Sequence, residues 1–256
     1  MLASYHNHTY RCKHAIGTEE EYVLHAIKHG YGIFGFSDHA PHLVADDISG
    51  SRMSPEELPG YVSTLCELRE RYKSDIDIRI GLELEYYPKT HAADMQMYRE
   101  AGIEYLILGQ HLIRNGVSPD SIHCFSLTDE REKYTLYVNQ TIEAMSTGHF
   151  SCFAHPDVFK YVGDNDFYRQ ESDRLIRAAI QHAIPLEVNM YGLSDGRHYP
   201  NPLFWERASR LGAAVVLGRD AHSVHRVHAP EEFGAAYRFI EKYGLNLIES
   251  IEIKPL

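Results

Sequence analysis

Residues 2–8 read Leu-Ala-Ser-Tyr-His-Asn-His: a short apolar run that closes on two imidazoles two positions apart. Side chains alternate along a strand, so His6 and His8 share one face and can converge on one point. The same construction recurs down the chain. Ile33–Asp38 runs into Ser37-Asp-His39, Ile76–Leu84 carries Gly81-Leu-Glu83-Leu-Glu85, and Tyr105–Gly109 leads to Gln110-His111. Ser151–Ala154 leads to His155-Pro-Asp157, and Ala213–Gly218 leads to Arg219-Asp220-Ala-His222, where alternation puts Asp220 and His222 together and turns Arg219 away. With Leu186–Asn189 these make seven predicted strands.

Amphipathic helical stretches separate the strands, two of them opened by a hydroxyl cap with Glu three residues on, Thr18-Glu-Glu-Glu21 and Ser54-Pro-Glu-Glu57. Strictly alternating strands and helices imply a parallel sheet joined by crossovers, either a barrel or a doubly wound sheet. No strand is followed by a phosphate-cradling glycine loop, and polar residues follow almost every strand rather than one switch point, which favours a (β/α) barrel with one mouth. Residues 1–256 read as a single α/β domain without repeats or linkers, and His42–Met53, the longest irregular stretch, as a rim loop.

The formal charge is −11, from 36 acidic against 25 basic residues with no basic block, which argues against a grip on nucleic-acid backbone. Cys12, Cys66, Cys124 and Cys152 form no CxxC and read as reduced thiols. No apolar run approaches the roughly 18 residues of a membrane span, and the N-terminus has no signal-like leader, so the expectation is a cytoplasmic protein without membrane contact. The unusual count is 17 histidines, because imidazole is the commonest metal ligand. One His-x-His pair is weak evidence, and a lone strand-end histidine is more often hydrogen-bonded core than ligand. If six such strand ends share one mouth, five or more histidines and two carboxylates crowd a small volume, tolerable electrostatically only with cations among them.

His6-x-His8, His14 in the next loop, Ser-Asp-His39, Glu83, Gln-His111, Ala-His155-Pro and Asp220-Ala-His222, in that order over nearly the whole chain, resemble the PHP (polymerase and histidinol phosphatase) superfamily. The resemblance implies a distorted seven-stranded TIM-like barrel of PHP type with a trinuclear metal centre. By its pattern His6, His8, Glu83 and Asp220 hold one ion, Glu83, His111 and His155 a second, and His14, His39 and His222 a third, with Glu83 bridging the first two. Glu83 is preferred over Glu85 on the match to the family's Gly-x-Glu. Arg219 departs from the family, whose members commonly carry a small residue before the Asp. Imidazole with carboxylate suits Zn, Fe or Mn, and the sequence fixes neither the metal nor whether two or three sites fill.

Bridged divalent ions activate water and clamp attacking and leaving oxygens, which is hydrolytic chemistry, here by a metal-bridging hydroxide. No GxSxG elbow or cysteine phosphatase loop offers another nucleophile. Asp220 is the candidate proton shuttle, and Lys160 and Arg197 are the candidate phosphate contacts, each equally readable as a solvated rim charge; Arg11 is a poorer one. SDHAP at 37–41, ILGQH at 107–111, AHPD at 154–157 and GRHYPNP at 196–202 are most similar to the histidinol-phosphatase branch. That branch implies L-histidinol phosphate as a small phosphorylated substrate; its imidazole and ammonium need acceptors, for which Asp46, Asp47 and Glu85 or Asp157 are the candidates, and the sequence does not choose among them. Another phosphomonoester or phosphotyrosine is the main rival; nucleic-acid diesters and a non-catalytic metal domain are weaker ones. His25, His29 and His182 fall in helical stretches and are assigned no metal role.

Overall fold

The computed structural model describes residues 2–43, 50–114 and 121–256. Its elements run β1 (Leu2–Ser4), α1 (Glu19–Lys28), β2 (Tyr31–Phe36), α2 (Leu58–Arg71), β3 (Asp77–Leu84), α3 (His91–Ala101) and β4 (Tyr105–Leu108). A small hairpin follows, β5 (Leu112–Ile113) with β6 (Ile122–His123), then α4 (Arg131–Ser146), β7 (Phe150–Phe153), α5 (Asn165–Gln181) and β8 (Leu186–Asn189). The chain ends with α6 (Met190–Ser194), α7 (Pro202–Leu211), β9 (Ala214–Gly218), α8 (Pro230–Tyr243) and β10 (Asn246–Leu247).

All seven predicted strands are present and pair in parallel in the order β1-β2-β3-β4-β7-β8-β9, with β10 added beyond β9. Three of them, β3, β8 and β9, end where the apolar runs do, and the other four end earlier. β1 stops at Ser4 rather than His8 and β2 at Phe36, because the residues beyond leave the ladder to aim side chains inward; Asn7–Ala221 and His39–Glu83 survive as isolated parallel bridges. The first of these closes the ring: the His8 amide donates to the Ala221 carbonyl at 3.0 Å, and Ile16 to His222 at 2.9 Å. At the opposite end β1 and β9 do not pair, and β10 docks on Ala214–Val215 instead. A cavity of about 420 Å³ lined by Leu2, Ala3, Leu217, Tyr237 and Leu247 opens along this seam.

The Thr18 capping box forms as the sequence predicts, and the Ser54 box opens a 3-10 turn at Pro55–Glu57 that feeds α2. α7 illustrates why the helices stay on the sheet: Phe204, Trp205 and Ala208 form one buried stripe, and truncating such an aromatic costs about 3–5 kcal/mol. Inside the ring Tyr105 is fully buried and donates to the carbonyls of Tyr5 at 2.7 Å and Phe36 at 2.9 Å, tying β1 and β2 to β4. Among the described residues no helix is long and apolar enough to cross a membrane.

Candidate metal centre

Every strand-end residue singled out in the sequence as a ligand reaches the mouth. Glu83, on β3, is the hub. Its Oε1 lies 2.9 Å from His155 Nε2 and 3.6 Å from both His6 Nε2 and His111 Nε2, while Oε2 lies 2.9 Å from His39 Nδ1 and 3.5 Å from His8 Nε2. Asp220 faces it across the ring, 3.5 Å from His6 Nε2 and 3.3 Å from His8 Nε2 and His222 Nδ1. His14 and His222 point their Nε2 atoms at each other, 3.0 Å apart. His6, His8, Glu83, His155 and Asp220 are buried, whereas His14 is exposed and His39, His111 and His222 are half-buried, so the cluster grades from a dry floor to a wet rim. His155 and Asp220 hold positive φ angles of 32° and 49°, a left-handed backbone costly for non-glycine residues and met mostly at functional sites.

The electrostatics explain how so many titratable groups coexist. Burial alone would raise Glu83, but His111, His39 and His6 outweigh it and hold the carboxyl well below its ordinary range. Asp220 behaves alike, with His6 and His8 overcoming burial. His6 is pushed well up, since Glu187, Asp220 and Glu83 overcome its desolvation, while burial, then His222 and His39, drive His8 well down. Burial lowers His39 to about 4. Such a cluster is a charge balance awaiting cations.

The donor set fits divalent ions on this chain's own geometry. Three groupings have ligand atoms mutually close enough to share an ion: His14, His39 and His222; His6, His8 and Glu83; and His39, Glu83 and His111. A fourth joins His6, His155 and Asp220. His8 Nδ1 and His155 Nδ1 are buried without a hydrogen bond, an expense unusual unless the group around them is held for another partner. A further grouping brings Cys12 to His8 and His222, with burial first, then Asp38, pushing its thiol up to about 12.

Several supporting residues were not legible as such. Glu187 takes His6 Nδ1 at 2.8 Å, and Asn189 donates to Glu187 at 2.8 Å and to Asp220 at 3.1 Å; both lie on β8, two residues apart, where two polar side chains in a buried strand were the available signal. Carbonyls of Cys12 and Asp220 orient His14 and His222 through Nδ1, at 2.7 and 3.0 Å. Glu85 lines the mouth but is committed: it takes Arg52 at 2.7 Å, the Tyr87 hydroxyl, and the backbone amides of His111 and Leu112 at 3.2 and 3.1 Å.

A mouth cavity of about 320 Å³ lies above the cluster, and Arg197 lines it with its guanidinium 4.4 Å over the Tyr191 ring and 3.1 Å from the Tyr199 hydroxyl. Arg52, His123, Phe125, Tyr191 and Tyr199 line it too; of these only Arg52, in the expected rim loop, and Tyr199, in the 196–202 segment, fall in stretches the sequence singled out. Lys160 does not line this cavity; its backbone bonds to Cys124 and Thr128, which fixes it beside the β6 turn instead. Asp157 is likewise no acceptor at the mouth, since it takes the Asn201 amide and Trp205 Nε1 behind the 196–202 loop. Arg11 pairs with Glu19, and Arg219 turns outward over Phe233, 4.3 Å from its ring. Asp46 and Asp47 lie outside the described residues.

A family model described as the PHP domain matches residues 4–191, well over half of the chain. The chain belongs to the PHP domain family. This PHP domain is 27% identical over 225 residues to a probable histidinol-phosphatase of Deinococcus radiodurans, covering 86% of each. It is 25% identical over 285 residues to a probable histidinol-phosphatase of Schizosaccharomyces pombe, covering 100% of this chain and 91% of that one. Among solved structures it is similar to the histidinol phosphate phosphatase of Lactococcus lactis, crystallised with zinc, L-histidinol and phosphate, at a TM-score of 0.75, 21% identity and 98% coverage of both chains. That likeness places the curled parallel sheet of this chain among the distorted TIM-like barrels of PHP type.

Proposed function

We propose that this chain is a metal-dependent phosphomonoesterase that hydrolyses L-histidinol phosphate to L-histidinol and phosphate. The observation that carries the reading is the convergence of His6, His8, His14, His39, Glu83, His111, His155, Asp220 and His222 on one mouth around a single hub carboxylate. In this reading His6, His8, Glu83 and Asp220 hold one ion, Glu83, His111 and His155 a second, and His14, His39 and His222 a third. Bound divalent ions supply a water of lowered pKa and positive charge for the phosphoryl oxygens.

The chain's own groups do the rest. Arg197, pinned between Tyr191 and Tyr199, presents a fixed cation to the phosphate and cannot swing away without losing both aromatic faces. Asp220, steadied by Asn189, carries the proton from the attacking water to the leaving alkoxide oxygen. Phe125, stacked on His111 with 5° between planes, and Tyr199 wall the cavity and limit water around the ester. The choice of L-histidinol phosphate is supported by the relatives in Deinococcus and Schizosaccharomyces and by the zinc, histidinol and phosphate held by the Lactococcus protein.

The test is to quantify bound metal and measure phosphate release from a panel of monoesters, phosphotyrosine and diesters, with Asp220→Asn and His155→Ala alongside. Two or three ions per chain, histidinol phosphate far ahead of the panel and both variants inactive are expected. Another ester in the lead would overturn the substrate assignment; absence of metal and of phosphate release would overturn the whole reading.

A further inference from the structure

Tyr191, the second residue of α6, lines the mouth, and its ring is a meeting point for side chains that the metal centre and the phosphate contact both need. The guanidinium carbons of Arg197 and Arg226 each lie 4.4 Å from its centroid, and the His222 ring stacks on it at 5.5 Å with 26° between planes. His222 also stacks on His8, at 4.3 Å and 23°, so Tyr191 is the stacking partner of that ligand from outside the donor set. α6 is anchored at its start by Asn189, whose side-chain oxygen accepts the Gly192 amide at 2.7 Å and whose nitrogen donates to Asp220 at 3.1 Å. Two guanidinium groups on one ring repel each other. Asp195 offsets this, taking Arg226 at 2.6 Å and lying 3.9 Å from Arg197. Arg226 belongs to the turn Val224–His228, which begins two residues after His222, so the segment that carries the ligand also grips the ring.

We propose that Tyr191 is a positioning residue that holds Arg197 and His222 in one shared geometry, so that the cation facing the phosphate and the ligand of the third ion are set together. This rests on the functional reading above, in which Arg197 meets the phosphate and His14, His39 and His222 hold that ion. An arginine at a rim has many rotamers, and a flat ring that fixes it beforehand leaves less entropy to lose when the phosphate arrives. A histidine directed through one nitrogen alone can still tilt. The Asp220 carbonyl directs His222 Nδ1 at 3.0 Å, and the Tyr191 face limits the tilt that remains. All of these contacts are made by the ring, so phenylalanine should replace tyrosine and leucine should not.

The experiment compares the native chain with Tyr191→Phe and Tyr191→Leu. Zn²⁺ affinity is read by chelator competition, binding of inorganic phosphate to the zinc-loaded chain by calorimetry, and KM and kcat on the best ester of the panel. Expected in Tyr191→Leu are losses of about 10-fold in the affinity of one zinc ion and in that of phosphate, the other ions staying as tight as in the native chain. KM should rise more than kcat falls, and Tyr191→Phe should behave as the native chain. Arg226→Met removes one holder of the ring from outside the mouth; it should shift both affinities in the same direction by less, and it serves if Tyr191→Leu fails to fold. Native affinities in Tyr191→Leu, or a loss in Tyr191→Phe equal to that in Tyr191→Leu, overturn the proposal. If the native chain releases phosphate from no ester, the functional reading falls, and the zinc and phosphate affinities still decide the role of Tyr191.

Discussion

Glu187 touches none of the proposed ions, yet it fixes the tautomer and orientation of His6 and raises its basicity through a 2.8 Å contact. Glu187→Gln should leave the fold intact and weaken metal binding by about 10–100-fold in a chelator competition; an unchanged affinity would remove Glu187 from the site. His91 offers a pH test far from any proposed ion. Burial first, then His149, depress it from 6.5 to about 4, so below pH 6.5 the unfolded chain takes up a proton that the folded chain refuses. The stability it contributes is whole above 6.5 and is lost as pH falls through about 4. The melting temperature of the native chain should accordingly fall further between pH 7 and pH 4.5 than that of His91→Gln, and parallel curves would refute the assignment. Eight of the nine candidate ligands were legible because each sits at a strand end beside an apolar run, whereas His14, in the loop after the first strand, could be named only by resemblance. Glu187 and Asn189 were not, because a single polar pair in a strand reads equally as a solvated edge, and Asp157 misled because its partners, Asn201 and Trp205, lie over forty positions away.

At the scale of the elements, the barrel strands approach so closely that two glycines act as clearances for carboxylates. A Cβ at Gly109, after β4, would sit 2.0 Å from Glu83 Oε1, and one at Gly218, closing β9, 1.9 Å from the Glu187 carboxyl carbon. Gly109→Ala should therefore displace the hub carboxylate and cost about 100-fold in phosphate release while the far-ultraviolet spectrum holds, since misplacement by about 1 Å is worth that much. Retention of full rate would mean that Glu83 is not the hub. The seven strands of the ring could be read from their apolar, β-branched runs, and their parallel direction followed from alternation with helices. The β5–β6 hairpin and β10 could not: each strand is two residues long, below any periodicity, and each exists because a neighbour already offers a partner edge. The hairpin matters most, because it delivers His123 and leads to Phe125 on the mouth wall.

Across the whole molecule, the single-mouth barrel was legible from the distribution of polar residues over six strand ends, whereas the open seam was not, since nothing local distinguishes a strand that pairs along its length from one that touches at a single bridge. Removing metal with a chelator should lower the melting temperature by several degrees or more, by un-neutralising Glu83 and Asp220 among their imidazoles, and Zn²⁺ or Mn²⁺ should restore both melting and phosphate release. A melting curve indifferent to the chelator would show that the mouth is not held by ions. The ring closes where Asn7 meets Ala221, between His6 and His8 on one side and Asp220 and His222 on the other, and His14 and His222 are 208 positions apart in sequence. An ion shared across that junction is a reversible cross-link spanning most of the chain. Because its ligands come together only in the closed ring, such an ion would stabilise the folded state by binding it in preference to the unfolded chain, by an amount that rises with the concentration of free metal. The supply of metal would then govern the lifetime of the folded chain as well as its turnover.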